Sequence, residues 1–455
     1  MNPSRNRLVY FSTFVAALGG LLFGYDTAVI SGAIGFLRQH FDLSSAQMGW
    51  TASSALVGCV AGVSVAGILS DRFGRNRILI VSAALFLISA IGSALAGNVT
   101  VLIIYRILGG IGVGIASMLS PLYIAEISPA QIRGKMVSYN QLAIVSGMLI
   151  VYFINYLIAS TGALQWNIAS GWRWMFASEA LPAALFLIML LLVPNSPRWL
   201  IKQGREQEAM DVLNQISGPQ KAQIEAEEIR SALAMETGSL TQLFKSGLRL
   251  VLIIGVMLAI LQQVTGINVF LYYAPEIFKN LGSGTDIAFL QTIIVGAFNL
   301  GFTIIAIHSV DRWGRKPLML IGSAGMGLCL AGMGLAAFYS QTAIWVLVFV
   351  LGYISFFALS VGPVTWVILS EIYPTRIRGR ALSIATFFLW SANWLVSQTF
   401  PMLDENPFLV GMFNHAFSFW LYGLLCVVLF VFVWKGVPET KGKSLEEIEK
   451  EWIRD

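Results

Sequence analysis

The stretch LLFGYDTAVISGA, residues 21–33, decides how this chain is read. Asp26 is the only formally charged residue between Leu8 and Leu37, and no basic residue lies nearby in sequence to neutralise it. A run of roughly 20 apolar residues is enough to cross a bilayer as a helix. A carboxylate deep inside such a helix costs about 2.5–3.5 kcal/mol on insertion scales, so a functional reason is the default. Two questions follow: what surrounds this first segment, and what meets its acid.

The surroundings are apolar throughout. Of 455 residues 56% are hydrophobic and 12% charged, with a mean hydropathy of +0.74. The charged share is about half of the ~25% usual in soluble domains. A soluble protein of this length could not hide so much apolar surface, so lipid must be the solvent for much of it. Twelve segments are long and apolar enough to span: about 8–36, 47–69, 78–97, 101–127, 138–160, 172–193, 248–278, 287–309, 318–338, 343–370, 382–403 and 413–434. Some contain glycine or proline, which spanning helices tolerate when packed against neighbours. The first apolar run is long and no small-residue cleavage site follows a short hydrophobic core, so it reads as a retained helix and not a signal peptide. Cys59, Cys329 and Cys426 all fall within spans, which speaks for small core hydrophobes and against disulfides or a metal site.

Orientation follows from the basic residues. With twelve spans both termini share a side, and 25 of the 29 Lys and Arg fall on it. The opposite loops hold only Arg38, Arg173 and Lys279, and Arg106 lies within a span. The positive-inside rule then puts both termini in the cytoplasm. The same bias accounts for the net charge of +5 without a nucleic-acid partner.

The sequence also repeats itself. SDRFGRNR at 70–77 is answered by VDRWGRKP at 310–317, with Asp71 and Asp311 240 positions apart. YIAEISPAQIRGKM at 123–136 is answered by ILSEIYPTRIRGRA at 368–381, with Glu126 and Glu371 245 apart. VPNSPRWL at 193–200 is answered by VPETKGKS at 437–444. Three motifs in one order at nearly one offset predict two related six-helix bundles, at 1–193 and 248–436. Residues 194–247 form a soluble linker, and 437–455 a tail. In the linker Pro197 stands just inside an expected helix, and Ala209, Val212, Leu213 and Ile216 recur at helical spacing. In the tail Ser444 and Glu447 fit a capping box. Parallel repeats suggest alternating access about a midplane site, and Pro121 and Pro363 interrupt corresponding spans.

Depth gives Asp26 a partner. Asp26 lies about ten residues below the outer end of span one and Arg106 about six below the outer start of span four, so both sit roughly 10–15 Å beneath the surface. Burial and a nearby guanidinium act in opposite senses on a carboxyl group's hold on its proton. A change in the Asp26–Arg106 distance would therefore bind or release a proton, and one charge crossing 100 mV supplies about 2.3 kcal/mol. The bland alternative is a static pair that fixes helix packing. Among uncharged candidates, Gln141, Gln262, Gln263, Asn268 and Asn299 offer both donors and acceptors, which suits a neutral polyhydroxylated solute. Tyr272 and Tyr273 lie in the same stretch as three of these amides. Trp366 and Trp390 offer flat faces to a sugar ring. The alternative for each amide is interhelical glue. Asp71, Arg72, Arg75, Glu126 and Arg133, with their repeats Asp311, Arg312, Arg315, Glu371 and Arg378, suggest salt bridges that tie helix ends together. Single exposed bridges are worth about 0–1 kcal/mol, so only a network could bias a conformation.

Other chemistries find little support. GVPETKGKS places five residues between Gly436 and Gly442 where a P-loop needs four. His40, His308 and His415 lack metal spacing, and Asn98-Val99-Thr100 is a glycosylation pattern in a very short loop. No cofactor is expected, and no enzymatic nucleophile–base pair shows.

Taken together, GGLLFGYDTAVISGA, DRFGR, RILGGIGVG, SPLYIAEISPAQIRGK, NQLAI, PNSPRWL, QQVTGINVFLYYAP, DRWGRKPL, GPVTWVILSEIYPTRIRGRA and VPETKGKSLEEIE closely resemble the sugar porter family of the major facilitator superfamily, nearly end to end. The resemblance implies an all-α membrane protein of twelve transmembrane helices. It implies Asp26 as the proton-coupling acid with Arg106 as partner, and Gln141, Gln262, Gln263, Asn268, Asn299, Trp366 and Trp390 as sugar contacts. The paired charge motifs would form the inner gate. Two residues depart from the pattern. Leu389 stands where family members carry a sugar-contacting amide, and Asn195 where they usually carry glutamate. The expected activity is proton-coupled import of a monosaccharide into a bacterial cell by a monomer in the inner membrane. A proton-independent facilitator is the first alternative. A sugar sensor is the second, although sensors of this kind carry a long cytoplasmic extension and 21 residues follow Trp434.

Overall fold

In lipid every backbone N–H and C=O must be satisfied within its own segment, and helices are the economical answer for apolar runs of this length. The computed structural model describes residues 6–129, 132–235, 248–280, 282–340, 343–373 and 378–441, and among them it is helical, without strands. The tail motif of Ser444 and Glu447 lies outside the described residues. Six long helices come first: α1 Asn6–Phe41, α2 Ser45–Phe73, α3 Arg75–Ala94, α4 Val99–Ile127, α5 Arg133–Thr161 and α6 Leu164–Leu190. Three short helices follow, α7 Pro197–Lys202, α8 Glu206–Ser217 and α9 Pro219–Met235. The second series is α10 Leu248–Val264, α11 Ile267–Tyr272, α12 Ala274–Asn280, α13 Thr285–Trp313, α14 Arg315–Phe338, α15 Ile344–Ile372, α16 Arg378–Asp404, α17 Pro407–Phe413 and α18 Phe417–Gly436.

Eleven described helices are long and apolar enough to cross a membrane. The twelfth expected span is α16, a helix of 27 residues. Thr386, Asn393 and Ser397 on it are buried polar residues, so its composition is less apolar than its place in the fold.

Local chemistry explains most boundaries. Asn98 caps α4, its side chain accepting from the Val101 N–H at 2.9 Å, which accounts for the glycosylation-like triplet. Ser196 caps α7 by accepting from the Trp199 N–H, with Pro197 in the first turn as expected. Ala209, Val212, Leu213 and Ile216 are buried, and Leu213 packs with Ala222 and Ala226 in a small satellite core.

Two boundaries differ from the sequence reading. The sixth span begins at Leu164 instead of near 172, and passes through a π turn at Asn167–Gly171. The seventh, expected as one run over 248–278, breaks at Gly266, where φ is +91°.

By contacts the chain forms two compact units. Unit one comprises Met1–Thr27, Val57–Met148 and Phe176–Gly238; unit two comprises Ala28–Leu56, Leu149–Met175 and Ser239–Asp455. Helices α1, α2, α5 and α6 each give one stretch to either unit.

Candidate functional site

In unit one, Asp26 of α1 and Arg106 of α4 are fully buried and form an ion pair. The Arg106 Nη1 group donates to Asp26 Oδ1 and, at 3.1 Å, to the Asp26 backbone carbonyl. The Phe176 ring lies 5.6 Å from the guanidinium, a cation–π distance. Among the described residues Asp26 Oδ2 and Arg106 Nε make no hydrogen bond. The free oxygen faces Gly109 of α4. A Cβ there would lie 3.1 Å from Asp26 Oδ2 and 2.4 Å from Ser89 Oγ, so only glycine lets α4 approach this closely.

A second buried acid joins this neighbourhood. Glu179 of α6 is buried, its Oε1 has no hydrogen-bond partner among the described residues, and it lies within electrostatic reach of both Asp26 and Arg106. Tyr25 and Ser178, each next in sequence to one of the two acids, share a hydrogen bond of 2.7 Å that ties α1 to α6. Sequence reasoning missed Glu179. The signal was there: Glu179 lies seven residues inside the expected span 172–193, about as far in as Arg106 lies in span four.

The amides group as their sequence cluster suggested, with an added role. In unit two Asn268 Nδ2 donates to Gln263 Oε1 at 2.6 Å, and Gln263 Nε2 donates to Gln262 Oε1 at 3.3 Å. Gln262 Nε2 in turn donates to the carbonyls of Val361 and Gly362, at 3.2 and 3.0 Å. Those carbonyls belong to the π turn at Phe357–Val361 and the residue before Pro363, where regular backbone bonding is disturbed. Gln262 therefore locks α10 to α15 while Gln263 and Asn268 extend the chain of amides. Tyr272 and Asn393 are 3.5 Å apart, and Tyr273 donates to the Ser397 carbonyl at 2.9 Å. Asn299 and Trp390 are buried, Trp366 is 40% exposed, and Leu389 is buried beside Trp390. Gln141 stands on α5 in unit one, half-buried.

The charge motifs form two clusters. In unit one Arg75 Nε donates to both Glu126 oxygens, at 3.2 and 3.1 Å, and its Nη1 to Asp71 at 2.8 Å. Lys202 donates to Asp71 at 2.8 Å, and Ser196 donates to Glu126. In unit two Arg315 donates to Glu371 at 3.2 and 2.9 Å, and Thr440 to the same carboxylate. Arg72, Arg133 and Arg312 are exposed, and among the described residues none forms a salt bridge; Arg72 lies over the Phe73 ring. The side chains of Asp311 and Arg378 lie outside the described residues.

An apolar helical assembly with a buried acid–base pair and ion clusters repeated at two helix starts defines an integral membrane carrier. The chain belongs to the family described as "Sugar (and other) transporter", whose model matches residues 12–452. It is 50% identical to the D-xylose-proton symporter of Escherichia coli K12 over 99% of this chain and 97% of that protein. It is 47% identical to the arabinose-proton symporter of Bacillus subtilis, over 96% and 94%. The structure matches that of the proton:xylose symporter XylE from E. coli, of the major facilitator superfamily, bound to 6-bromo-6-deoxy-D-glucose. The TM-score is 0.85 at 49% identity, covering 98% of this chain and all of that one. The fold is thus the twelve-helix major facilitator fold, and the protein is a multi-pass membrane transporter, not an enzyme.

Proposed function

We propose that this protein imports a monosaccharide together with a proton, by alternating access, across a bacterial inner membrane. The six-helix halves 1–193 and 248–436 rock about a central site, joined by the linker 194–247, with both termini and the tail 437–455 in the cytoplasm. The carrier works as a monomer in the bilayer. Asp26 takes the proton and Arg106 competes for the resulting carboxylate. Gln141, Gln262, Gln263, Asn268 and Asn299 bind sugar hydroxyls, and Trp366 and Trp390 cover the C–H faces of the ring. Leu389 removes one amide from that set and so changes which hydroxyl pattern is accepted. The inner gate consists of Asp71, Arg75 and Glu126 with Arg315 and Glu371.

The observation that carries the reading is the half-satisfied carboxylate. Asp26 gives one oxygen to Arg106 and, among the described residues, leaves the other without a hydrogen-bond partner. A buried acid that only cemented two helices would be expected to use both oxygens. One free oxygen is where a proton can bind without first displacing the guanidinium. Similarity to the D-xylose-proton and arabinose-proton symporters supports proton coupling.

The test is Asp26→Asn. Uphill accumulation is expected to vanish while sugar exchange across vesicles continues. Accumulation against a gradient by the variant would remove Asp26 from the coupling step, and loss of exchange as well would assign it to sugar binding or packing.

A further inference from the structure

Unit two contains a polar seam built from segments far apart in sequence. Arg38, in the last turn of α1, grips Glu405, just past the end of α16, with both guanidinium nitrogens; the Nη2–Oε2 distance is 2.9 Å. Ser45, at the start of α2, donates to the same carboxylate. One acid thus holds both sides of the turn between α1 and α2. Further along, Gln398 of α16 donates to the Ala46 carbonyl at 3.1 Å and accepts from Ser53 at 3.0 Å. Gly49 lies between these contacts, and a Cβ there would stand 2.4 Å from the Gln398 carbonyl oxygen. Positions 45, 49 and 53 share one face of α2 and 398 and 405 one face at the end of α16, so the two meet along about two turns.

A second contact lies beside the first. Gly35 of α1 faces Glu276 of α12, and a Cβ on it would come within 2.2 Å of the carboxylate. Lys279 pairs with Glu276 at 2.9 Å and sits over the rings of Phe36 and Phe289. Arg38, Glu276, Asn280, Asp404 and Glu405 line a small polar cavity between these contacts.

The two contacts differ in kind. The Gly35, Gly49 and Gln398 contacts are close packing, which forms whenever the helices meet. Arg38–Glu405 is directional and partly wet, with side chains 40% and 21% exposed. A bidentate pair at such a rim can be remade by water at modest cost. That suits a contact which must form and break in each cycle.

We propose that Glu405, by holding Arg38 and Ser45 together, is the bolt of a gate at the end of the carrier remote from its termini, and sets how often that end opens. The proposal rests on the alternating-access reading above, but not on the identity of the sugar or on proton coupling.

The test uses a full-length protein with Cys59, Cys329 and Cys426 replaced by serine and one reporter, Ser53→Cys. Ser53 is buried in the seam. Its labelling by a membrane-impermeant maleimide in intact cells reads the opening of that seam. Glu405→Gln and Arg38→Gln are each expected to raise the labelling rate about three- to fivefold. The charge swap Arg38→Glu with Glu405→Arg is expected to bring it back toward the parent. Labelling in inverted vesicles instead, with the same ratios, keeps the bolt and reverses the proposed orientation. An unchanged rate in Glu405→Gln, or a swap that labels as fast as the single variants combined, overturns the proposal. A variant with the raised rate that fails to accumulate sugar yet still exchanges it leaves the bolt standing and faults only coupling.

Discussion

The two ion clusters descend from one motif, yet they are built differently. In each, a glycine with positive φ, Gly74 at +100° and Gly314 at +91°, turns the chain into a new helix that starts with arginine. In each, that arginine donates to a glutamate, Glu126 or Glu371, which also accepts from a hydroxyl, Ser196 or Thr440. The difference lies beneath the glycine. Glu439 accepts from the backbone N–H groups of Arg315 and Lys316, at 3.1 and 3.0 Å, so a full negative charge caps α14. Asn195 occupies the matching place under Gly74, its Oδ1 2.6 Å from where a Cβ would sit, but accepts no hydrogen bond among the described residues. The first cluster is compensated elsewhere: Lys202 of α7 reaches back to Asp71, and Trp199 donates to the Asp71 carbonyl at 3.0 Å. The second cluster is thus fastened at its helix start and the first through the linker helix. A repeated motif can keep its central ion pair while moving its supporting charge.

The largest expected difference comes from removing the arginines. Arg75 and Glu126 side chains are 8% and 6% exposed, against 12% and 22% for Arg315 and Glu371. Breaking a buried pair by removing one partner costs about 3–5 kcal/mol. Arg75→Ala should approach that range, whereas Arg315→Ala leaves an acid that water can reach and should cost about 1–3 kcal/mol. Thermal unfolding in detergent measures both, and equal losses would show the clusters to be equivalent after all. Next are the supporting residues. Glu439→Gln removes an anion from a helix N-terminus and should cost about 0.3–1 kcal/mol, while Asn195→Asp should gain a similar amount. If Asn195→Asp destabilises, the site beneath Gly74 does not act as a cap.

The smallest effect concerns pH and contrasts both clusters with the remote end. Neither cluster contains a histidine, but His415 pairs with Asp404 at 3.3 Å near the Arg38–Glu405 bridge. The hydrogen bond to Asp404, helped by the charges of Asp404 and Glu405, holds the His415 imidazole above its ordinary pKa of 6.5. The stabilisation is therefore complete below 6.5 and is lost as pH rises through the raised value. Melting temperature should fall slightly from acid to mildly alkaline pH, and His415→Asn should flatten that slope. A slope unchanged by the substitution would assign the pH response elsewhere.

Much of this was legible in the sequence because the bilayer makes depth a countable quantity. Residue counting put Asp26 and Arg106 at one level, and the structure joins them. The offset between repeats located both clusters, though it could not show that Arg72, Arg133 and Arg312 stand apart, since exposed arginines obey topology as readily as pairing. Glu179 was countable in the same way, seven residues inside the expected span 172–193; the π turn at Asn167–Gly171 moves the start of that helix without hiding the acid. The grouping of Gln262 with Gln263 and Asn268 was visible, but the Val361 and Gly362 carbonyls that Gln262 holds exist as acceptors only because α15 departs from α geometry there. The Arg38–Glu405 bridge joins residues 367 positions apart, outside any repeat. Nothing in local pattern announces it.

The missing methyl at Gly109 bears on how closely one helix can lie against the acid of another. A carbon there would stand 3.1 Å from Asp26 Oδ2 and 2.4 Å from Ser89 Oγ, so the backbone of α4 lies directly beside that oxygen. Alanine at this position would press on the carboxylate itself, and the setting of Asp26 depends on a side chain its neighbour does not have.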